Sequence, residues 1–357
     1  YKEHGNPAVH DDLLRDLRGR LADPEGHFAL VLGQFGHGKT YLLHELARRM
    51  HAESDPAIPV LVQLRDLEKT HQLDQLVAAQ LTRGGQRRVD VPLFRYLLRE
   101  GRVALLFDGY DELALRVTYQ RATEHLNSII QAAEGRAKVV LTSRDSYFLT
   151  DAQVTSALGD RLAVIAGRRI VHVCGFGDGE ILEFLTRRLG DRASAERRMD
   201  LLKEVRDLLG LSRNPRMLSF IAGIDEERPL AVRDREGQIT AAALYRELLN
   251  QWIEYEWRRL GEPGHPSRDT LWQAVLDLAQ RMWRTPAEKL MLADLQDTAE
   301  TIAALTSSDA EAAAPTVAEA SHLLGSSTLL VRDADGQFRF VHRSVLEWLV
   351  ADGCAPD

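Results

Sequence analysis

The sequence predicts an α/β fold, in which a parallel sheet carries helices on both faces and is followed by a small helical domain and a winged-helix domain. Three observations lead to this fold class. In the first half of the chain, short apolar runs alternate with segments of helical periodicity. These runs are continuously apolar, which is typical of strands that are buried on both faces. After Gly175 the pattern becomes helical, and it ends in two further strands and a helix.

The predicted strands and helices follow in chain order. The strands of the first half are His27–Leu32, Pro59–Leu64, Val103–Phe107, Lys138–Leu141 and Arg169–Cys174. The helices of the second half are predicted from Ile181 to Leu189, over Leu201–Leu211, from Asn214-Pro215 onward and over Leu244–Trp257. Two last strands, Thr328–Val331 and Phe338–Val341, flank a hairpin signal, and a closing helix starts at Ser344.

Length, charge and cysteine content narrow the function classes. A chain of 357 residues is longer than one hydrophobic core supports, so two or three domains are expected. A net charge of −8 disfavours a dedicated nucleic-acid binder, and no apolar run is long enough to span a membrane. The two cysteines, Cys174 and Cys354, form no metal-binding or disulfide pattern. We therefore expect a cytoplasmic protein without a membrane segment.

Residues 33–40 form the most informative motif. They read Gly33, Gln34, Phe35, Gly36, His37, Gly38, Lys39 and Thr40, and they fit the pattern G-x-x-x-x-G-K-[ST] at every fixed position. The motif follows a predicted strand and opens a helix, as a phosphate-binding P-loop requires. Glycines let backbone N–H groups turn toward phosphates, the lysine reaches the β- and γ-phosphates, and the threonine hydroxyl binds Mg²⁺. The predicted nucleotide site comprises these residues and Tyr41, which follows them.

A second motif lies at the end of the strand that begins at Val103. Asp108 follows the apolar run directly, at the edge where ligands of open α/β sheets bind. Together with Thr40, Asp108 is therefore predicted to hold Mg²⁺. Asp111 and Glu112 come shortly after it and are candidates to orient or deprotonate the attacking water. The sequence leaves the choice between these two acids open.

The next predicted strand leads into Arg144, a third catalytic candidate. A cation at a strand end can sense the γ-phosphate and stabilise the charge that develops during its transfer. A surface salt bridge is the more ordinary role for an arginine considered alone.

Together these elements resemble the NACHT branch of the STAND signal-transduction NTPases, a group of P-loop NTPases that includes NLR proteins. The resemblance rests on residues 32–40, 105–113 and 141–144. A small residue, Gly109, follows the metal-binding aspartate, and further acids come behind it, whereas plain AAA+ proteins place the glutamate directly after that aspartate. Further matches follow at 174–176, 214–215 and 338–347, so the resemblance extends over almost the whole chain.

The resemblance implies a division of the chain and two further ligand contacts. The expected parts are a lead-in helix over 1–26, a nucleotide-binding domain over 27–175, a helical domain over 176–230 and a winged-helix domain over 231–357. It also implies that these domains fold around ADP, that Pro215 packs near the base and that His342 reaches the β-phosphate. From the residues alone, His342 is a histidine at a strand-to-helix junction, where a structural role is the simpler interpretation.

The same resemblance implies that the protein is a switch. ADP would keep it closed, exchange to ATP would open it for self-association, and slow Mg²⁺-dependent hydrolysis would act as a timer. Effector and sensor domains would lie outside this segment, in a signalling pathway such as innate immunity or antiphage defence. Two alternatives stay open, namely a remodelling ATPase of AAA+ type and a nucleotide-controlled regulator whose winged helix binds DNA.

Overall fold

The structure is a computed structural model that describes most of the chain as two compact units, Tyr1–Cys174 and Gly175–Asp357. The described residues are 1–3, 8–24, 28–34, 36–64, 73–85, 89–111, 113, 119–133, 135–144, 168–204, 207–223, 241–260, 267–291, 294–300, 329–332 and 337–354. The first unit is built on a sheet, and the second is mainly helical.

The first unit contains a six-stranded sheet with the order β1-β6-β2-β5-β4-β3. Its strands are β1 (Lys2–Glu3), β2 (Phe28–Leu32), β3 (Ile58–Gln63), β4 (Val103–Asp108), β5 (Lys138–Ser143) and β6 (Arg168–His172). Its helices are α1 (Leu13–Ala22), α2 (Lys39–Ala52), α3 (Leu73–Arg83), α4 (Val91–Arg99) and α5 (Tyr119–Ala132). Strands β2 to β6 pair in parallel, which confirms the predicted α/β class and all five predicted strands.

Burial explains why the strands could be recognised from the sequence. Every residue of β2 and β5 is buried, and so is β4 up to Phe107, because these strands lie inside the sheet with packed layers on both faces. Strand β3 lies at the edge of the sheet and alternates between buried and more exposed positions. Ile58 at its start is 63% exposed.

The first residues of the chain differ from the lead-in helix expected over 1–26. A helix is present as α1, but β1 precedes it and pairs antiparallel with β6. Arg169 of β6 forms ion pairs with Glu3 and Asp16, which join β1 and α1 to the sheet. A strand of two residues is too short to produce a period in the sequence, so it escaped prediction.

The second unit contains helices followed by a pair of strands and a last helix. Its elements are α6 (Asp178–Leu189), α7 (Arg192–Glu204), α8 (Leu208–Ser212), α9 (Pro215–Gly223), α10 (Ala241–Leu260), α11 (Arg268–Trp283), β7 (Leu330–Arg332), β8 (Phe338–Phe340) and α12 (Arg343–Gly353). Residues 294–300 are also helical. The buried apolar residues described in this unit form one core, with Trp252 fully buried in it.

The single helix predicted over Leu201–Leu211 is wrong. The chain forms two helices here, since α7 ends at Glu204 and α8 begins at Leu208. Between them Asp207 has a φ of 63°, a left-handed conformation that an α-helix cannot continue through. Leu202, Leu208 and Leu211 are nonetheless all buried, and this spacing of apolar residues produced the appearance of one helix.

The end of the chain contains the predicted strands and closing helix. Strands β7 and β8 are antiparallel, with Leu330 opposite Phe340, and α12 follows them directly. Helix α11, which the sequence analysis did not identify, packs against α12; its start is marked by Ser267, whose side chain caps the N–H of Thr270. The assignment of these elements to a winged-helix domain remains a prediction. Among the described helices, none combines the length and apolar character needed to cross a bilayer.

Candidate nucleotide-binding site

The loop between β2 and α2 has the backbone conformation that the glycine pattern predicted. Gly36 and Gly38 have φ angles of 77° and 82°, a region in which side chains other than hydrogen are strained. Gly38 is the N-cap of α2, so the helix begins at Lys39. The first N–H groups of a helix have no partner inside it, and together with the helix dipole they attract anions.

The loop is anchored to the chain segment that follows β6. The N–H of Val173 donates to the carbonyl of Leu32 at 2.7 Å. The ring Nδ1 of His37 lies 3.0 Å from the carbonyl oxygen of Val173, and because a carbonyl only accepts, Nδ1 carries the proton. A Cβ on Gly33 would approach the Cβ of Val173 to 3.2 Å, so a larger residue at the first motif position would require Val173 to shift. These contacts fix both ends of the loop.

Lys39 is directed back across the loop. Its Nζ donates to the carbonyl oxygens of Gly33 at 2.7 Å and Gln34 at 3.0 Å. The neighbouring Thr40 is exposed in the first turn of α2, and Tyr41 is 74% exposed. Phe35, the remaining predicted residue of the loop, lies outside the described residues. The loop therefore presents a cation and a hydroxyl next to a helix N-terminus.

Asp108 ends β4 and is held by a buried threonine on the adjacent strand. The hydroxyl of Thr142 donates to Oδ1 of Asp108 at 2.9 Å and accepts the N–H of Gly109 at 3.0 Å. Thr142 is fully buried on β5. Sequence reasoning did not single out this role of Thr142, although a hydroxyl residue near the end of the neighbouring strand was a usable signal.

Asp111 and Arg144, two of the predicted catalytic residues, form an ion pair. The Nε of Arg144 lies 2.9 Å from Oδ2 of Asp111, and the backbone N–H of Arg144 donates to Oδ1 at 3.1 Å. The side chains are only 14% and 6% exposed. Both oxygens of Asp111 are thus occupied by donors from one residue. Glu112, the alternative catalytic acid, lies outside the described residues.

Strand order brings the loop after β2, Asp108 and Arg144 to one edge of the sheet. Strand β5 lies between β2 and β4, with Leu32 opposite Ser143 and Phe107 opposite Leu141. Because parallel strands end on the same side, the loop after β2, the residue after β5 and the acid at the end of β4 are neighbours. The cation, the phosphate loop and the carboxylates that the sequence placed in separate segments therefore meet here.

Pro215 and His342 belong to the second unit, where each has a local structural role. Pro215 is the first residue of α9. The side chain of Asn214 accepts hydrogen bonds from the backbone N–H groups of Arg216 at 3.0 Å and Met217 at 3.3 Å. His342 is the N-cap of α12, and its Nδ1 accepts the N–H of Ser344 at 3.2 Å.

The oxygen donors of the first unit suit Mg²⁺. This cation takes one or two carboxylates and completes its shell with phosphate oxygens and waters, so it does not need a cage of protein ligands. Asp108 offers a carboxylate and Thr40 a hydroxyl, while the described part of the chain holds no group of three or more His, Cys, Asp or Glu side chains arranged around a metal position. The residues present therefore fit a magnesium ion that arrives together with a nucleotide.

A glycine-rich loop between a buried strand and a helix, beside a strand-end aspartate, defines a P-loop nucleotide-binding domain. The family model for the NACHT domain matches residues 27–192. This match covers fewer than half of the residues of the chain, and for residues 27–192 it confirms the resemblance to a NACHT-type P-loop NTPase.

The chain is similar to one much longer protein and to solved structures of low sequence identity. An uncharacterised WD repeat-containing protein of Nostoc sp. is 24% identical over 93% of this chain, and the chain spans 22% of that protein's length. Two solved structures are similar at 15% identity. The Walker-type ATPase of Pyrococcus abyssi has a TM-score of 0.48, with 96% of each chain covered. The ORC2 protein of Aeropyrum pernix has a TM-score of 0.43, with 99% of this chain and 97% of that chain covered.

Proposed function

We propose that this chain is an ATP/ADP switch, which is closed with ADP, opens with ATP to self-associate, and returns by slow Mg²⁺-dependent hydrolysis. The observation that carries the proposal is the buried Asp111–Arg144 pair at the edge of the sheet that bears the phosphate loop. This pair gives the site a cation with two alternative partners, the carboxylate of Asp111 and a γ-phosphate.

The switch depends on how the site distinguishes the two nucleotides. A ligand shifts a conformational equilibrium only by as much as its contacts differ between the two states. ATP differs from ADP by the γ-phosphate alone, so the residue that responds to that group decides the response. Arg144 is the candidate, since it follows the strand between the phosphate loop and Asp108 and is nearly buried, where a charge interaction is strong.

The other residues of the first unit bind and orient the nucleotide. Lys39 exchanges the carbonyl oxygens of Gly33 and Gln34 for phosphate oxygens, and the N–H groups at the start of α2 face the same anion. Thr40 and Asp108 hold Mg²⁺, with Asp108 kept in place by Thr142. When bound, the ion neutralises phosphate charge during transfer.

The Asp111–Arg144 ion pair also favours one of the two acids, Asp111 and Glu112, as the residue that orients the attacking water. Asp111 already accepts hydrogen bonds on both oxygens, so it is poorly placed to take a proton from water while Arg144 is bound. We assign Asp111 to positioning Arg144 and Glu112 to orienting the attacking water. Turnover should be slow, because the pair must separate before Arg144 can stabilise the transferred phosphoryl group.

In the second unit, the resemblance to NACHT proteins assigns Pro215 to the base and His342 to the β-phosphate of ADP. His342→Ala is expected to raise the rate of ADP release by about ten-fold, because a charge-assisted hydrogen bond to phosphate contributes about 1.5 kcal/mol or more. The release rate can be followed by chasing a fluorescent ADP analogue with unlabelled ADP. An unchanged rate would refute the contact, and Lys203→Ala on the exposed side of α7 is a control in the same unit.

The proposed function is tested first by the nucleotide that the purified protein carries. Freshly purified protein is denatured, and the released nucleotide is identified and quantified against the protein. Near-stoichiometric ADP with slow turnover supports the switch. An empty site with rapid ATP turnover would favour the remodelling ATPase, and salt-dependent DNA binding would favour the regulator.

The signal is proposed to reach the switch from domains outside this segment. The similarity to a WD repeat-containing protein, of which the chain spans 22%, supports a longer protein in which repeats act as the sensor. The effector and the pathway, such as innate immunity or antiphage defence, are part of the same proposal.

A further inference from the structure

His342 takes part in a network of hydrogen bonds that fixes the position of its proton. The backbone N–H of Ser344 points to Nδ1 of His342 at 3.2 Å, and the hydroxyl of Ser344 lies 2.7 Å from the same nitrogen. A backbone N–H can only donate, so Nδ1 must accept. The hydroxyl of Ser344 therefore also donates to Nδ1, and the single ring proton of a neutral imidazole lies on Nε2.

Tyr245 completes this network from helix α10. Its hydroxyl lies 2.6 Å from Oγ of Ser344, and it donates because the proton of Ser344 is directed to the histidine. Tyr245 is only 4% exposed, and burial raises the pKa of its hydroxyl, so the donor proton is retained throughout the neutral range. The order of donation is thus Tyr245 to Ser344 to Nδ1 of His342.

The other ring nitrogen, Nε2, is the ring atom of His342 nearest to the position that a Cβ on Gly210 would take. A Cβ on Gly210, in helix α8, would lie 2.9 Å from Nε2 of His342, closer than real Cβ contacts. Any larger residue at this position would push the ring away. Gly210 therefore leaves room for the ring in the orientation that the Ser344 contacts require.

We propose that Tyr245, Ser344 and Gly210 are positioning residues that hold His342 as an Nε2–H donor, ready to bind a phosphate oxygen. This inference rests on the proposed contact of His342 with ADP. A donor whose tautomer and ring orientation are already fixed loses little entropy on binding, which strengthens the contact. Tyr245 and Gly210 lie far from His342 in the sequence, and neither belongs to a nucleotide-binding motif.

The test uses the full chain labelled with ¹⁵N-histidine. The ¹⁵N shifts of the two ring nitrogens distinguish protonated from unprotonated positions, and the His342 signals are assigned by their loss in His342→Asn. Wild type is expected to show protonated Nε2 and unprotonated Nδ1. Tyr245→Phe should shift these signals toward an average of both tautomers and raise the rate of ADP release about five-fold, the effect of one neutral hydrogen bond.

Matched substitutions separate positioning from general destabilisation. Tyr255→Phe removes the hydroxyl of a tyrosine on the same helix whose ring packs against Phe220 and Arg216, and it should change neither readout. Gly210→Ala should raise ADP release, whereas Gly179→Ala, with open space around its Cβ position, should not.

The outcomes distinguish this inference from the proposed function. If His342→Ala speeds ADP release but Tyr245→Phe alters neither the tautomer nor the rate, the inference is wrong and the phosphate contact stands. If His342→Ala has no effect on release, the phosphate contact itself is wrong. A wild-type spectrum with the proton on Nδ1 overturns the inference directly.

Discussion

Replacing Lys39 by alanine is expected to lower the affinity for both ADP and ATP by about 100-fold. The ammonium is the cation of the phosphate loop, and a hydrogen bond to a charged group contributes up to about 3 kcal/mol. The loss should be large for both nucleotides, because Lys39 is assigned to the β-phosphate, which both contain. Titration of fluorescent ADP and ATP analogues measures both affinities.

The fold should survive this substitution. In the structure Lys39 donates to the carbonyl oxygens of Gly33 and Gln34, and Gln34 is exposed, so water can replace the amine there. Unchanged far-UV circular dichroism would confirm that the variant is folded. Lys203→Ala, an exposed position on α7, is the matched control and should bind as wild type does. Affinity within three-fold of wild type in a folded Lys39→Ala variant would refute the assigned site.

The sequence sufficed for the parts of the site that are encoded by neighbouring residues. The phosphate loop needs glycines at fixed spacing, and the positive φ angles of Gly36 and Gly38 follow from that need. Strands β2, β4 and β5 are buried on both faces, so their continuous apolar runs marked them, and with them the place of Asp108. These features depend on residues that are close in the sequence, so a single sequence is enough to predict them.

Contacts between distant segments could not be read in this way. Thr142 holds Asp108 across 34 positions of sequence, and Tyr245 donates to Ser344 across 99. Nothing in either segment marks its partner, because pairing depends on strand order and helix packing. The break between α7 and α8 was missed for a related reason, since the buried leucines keep a helical spacing on both sides of Asp207.

Arg144→Met is expected to have two large effects, one on stability and one on nucleotide choice. Removing the guanidinium leaves the carboxylate of Asp111 buried without its counter-ion, and breaking a buried pair in this way costs about 3 kcal/mol or more. The free energy of unfolding of the first unit should fall by this amount. Urea unfolding followed by far-UV circular dichroism measures it, while the five tryptophans, all between Trp252 and Trp348, report only on the second unit.

A double-mutant cycle measures the free energy of interaction between Asp111 and Arg144. Asp111→Asn combined with Arg144→Met removes both charges, so the double variant should recover about 2 kcal/mol of the loss seen in Arg144→Met alone. Arg95→Met is the matched control, because Arg95 pairs with Asp74 on the surface, where such a pair contributes about 0.5 kcal/mol. No recovery in the double variant would mean that Asp111 and Arg144 do not depend on each other.

The second effect separates a sensor from a structural arginine. If Arg144 exchanges Asp111 for a γ-phosphate, its loss should weaken ATP binding about ten-fold or more and leave ADP binding nearly unchanged. A structural arginine would instead affect both nucleotides equally, through the stability of the sheet edge. Asp111→Asn should act in the opposite direction, since it weakens the competing contact of Arg144 with Asp111 and so favours ATP. Equal affinity changes for ADP and ATP in these two variants would remove the basis for the switch, because Arg144 would then not respond to the group by which the nucleotides differ.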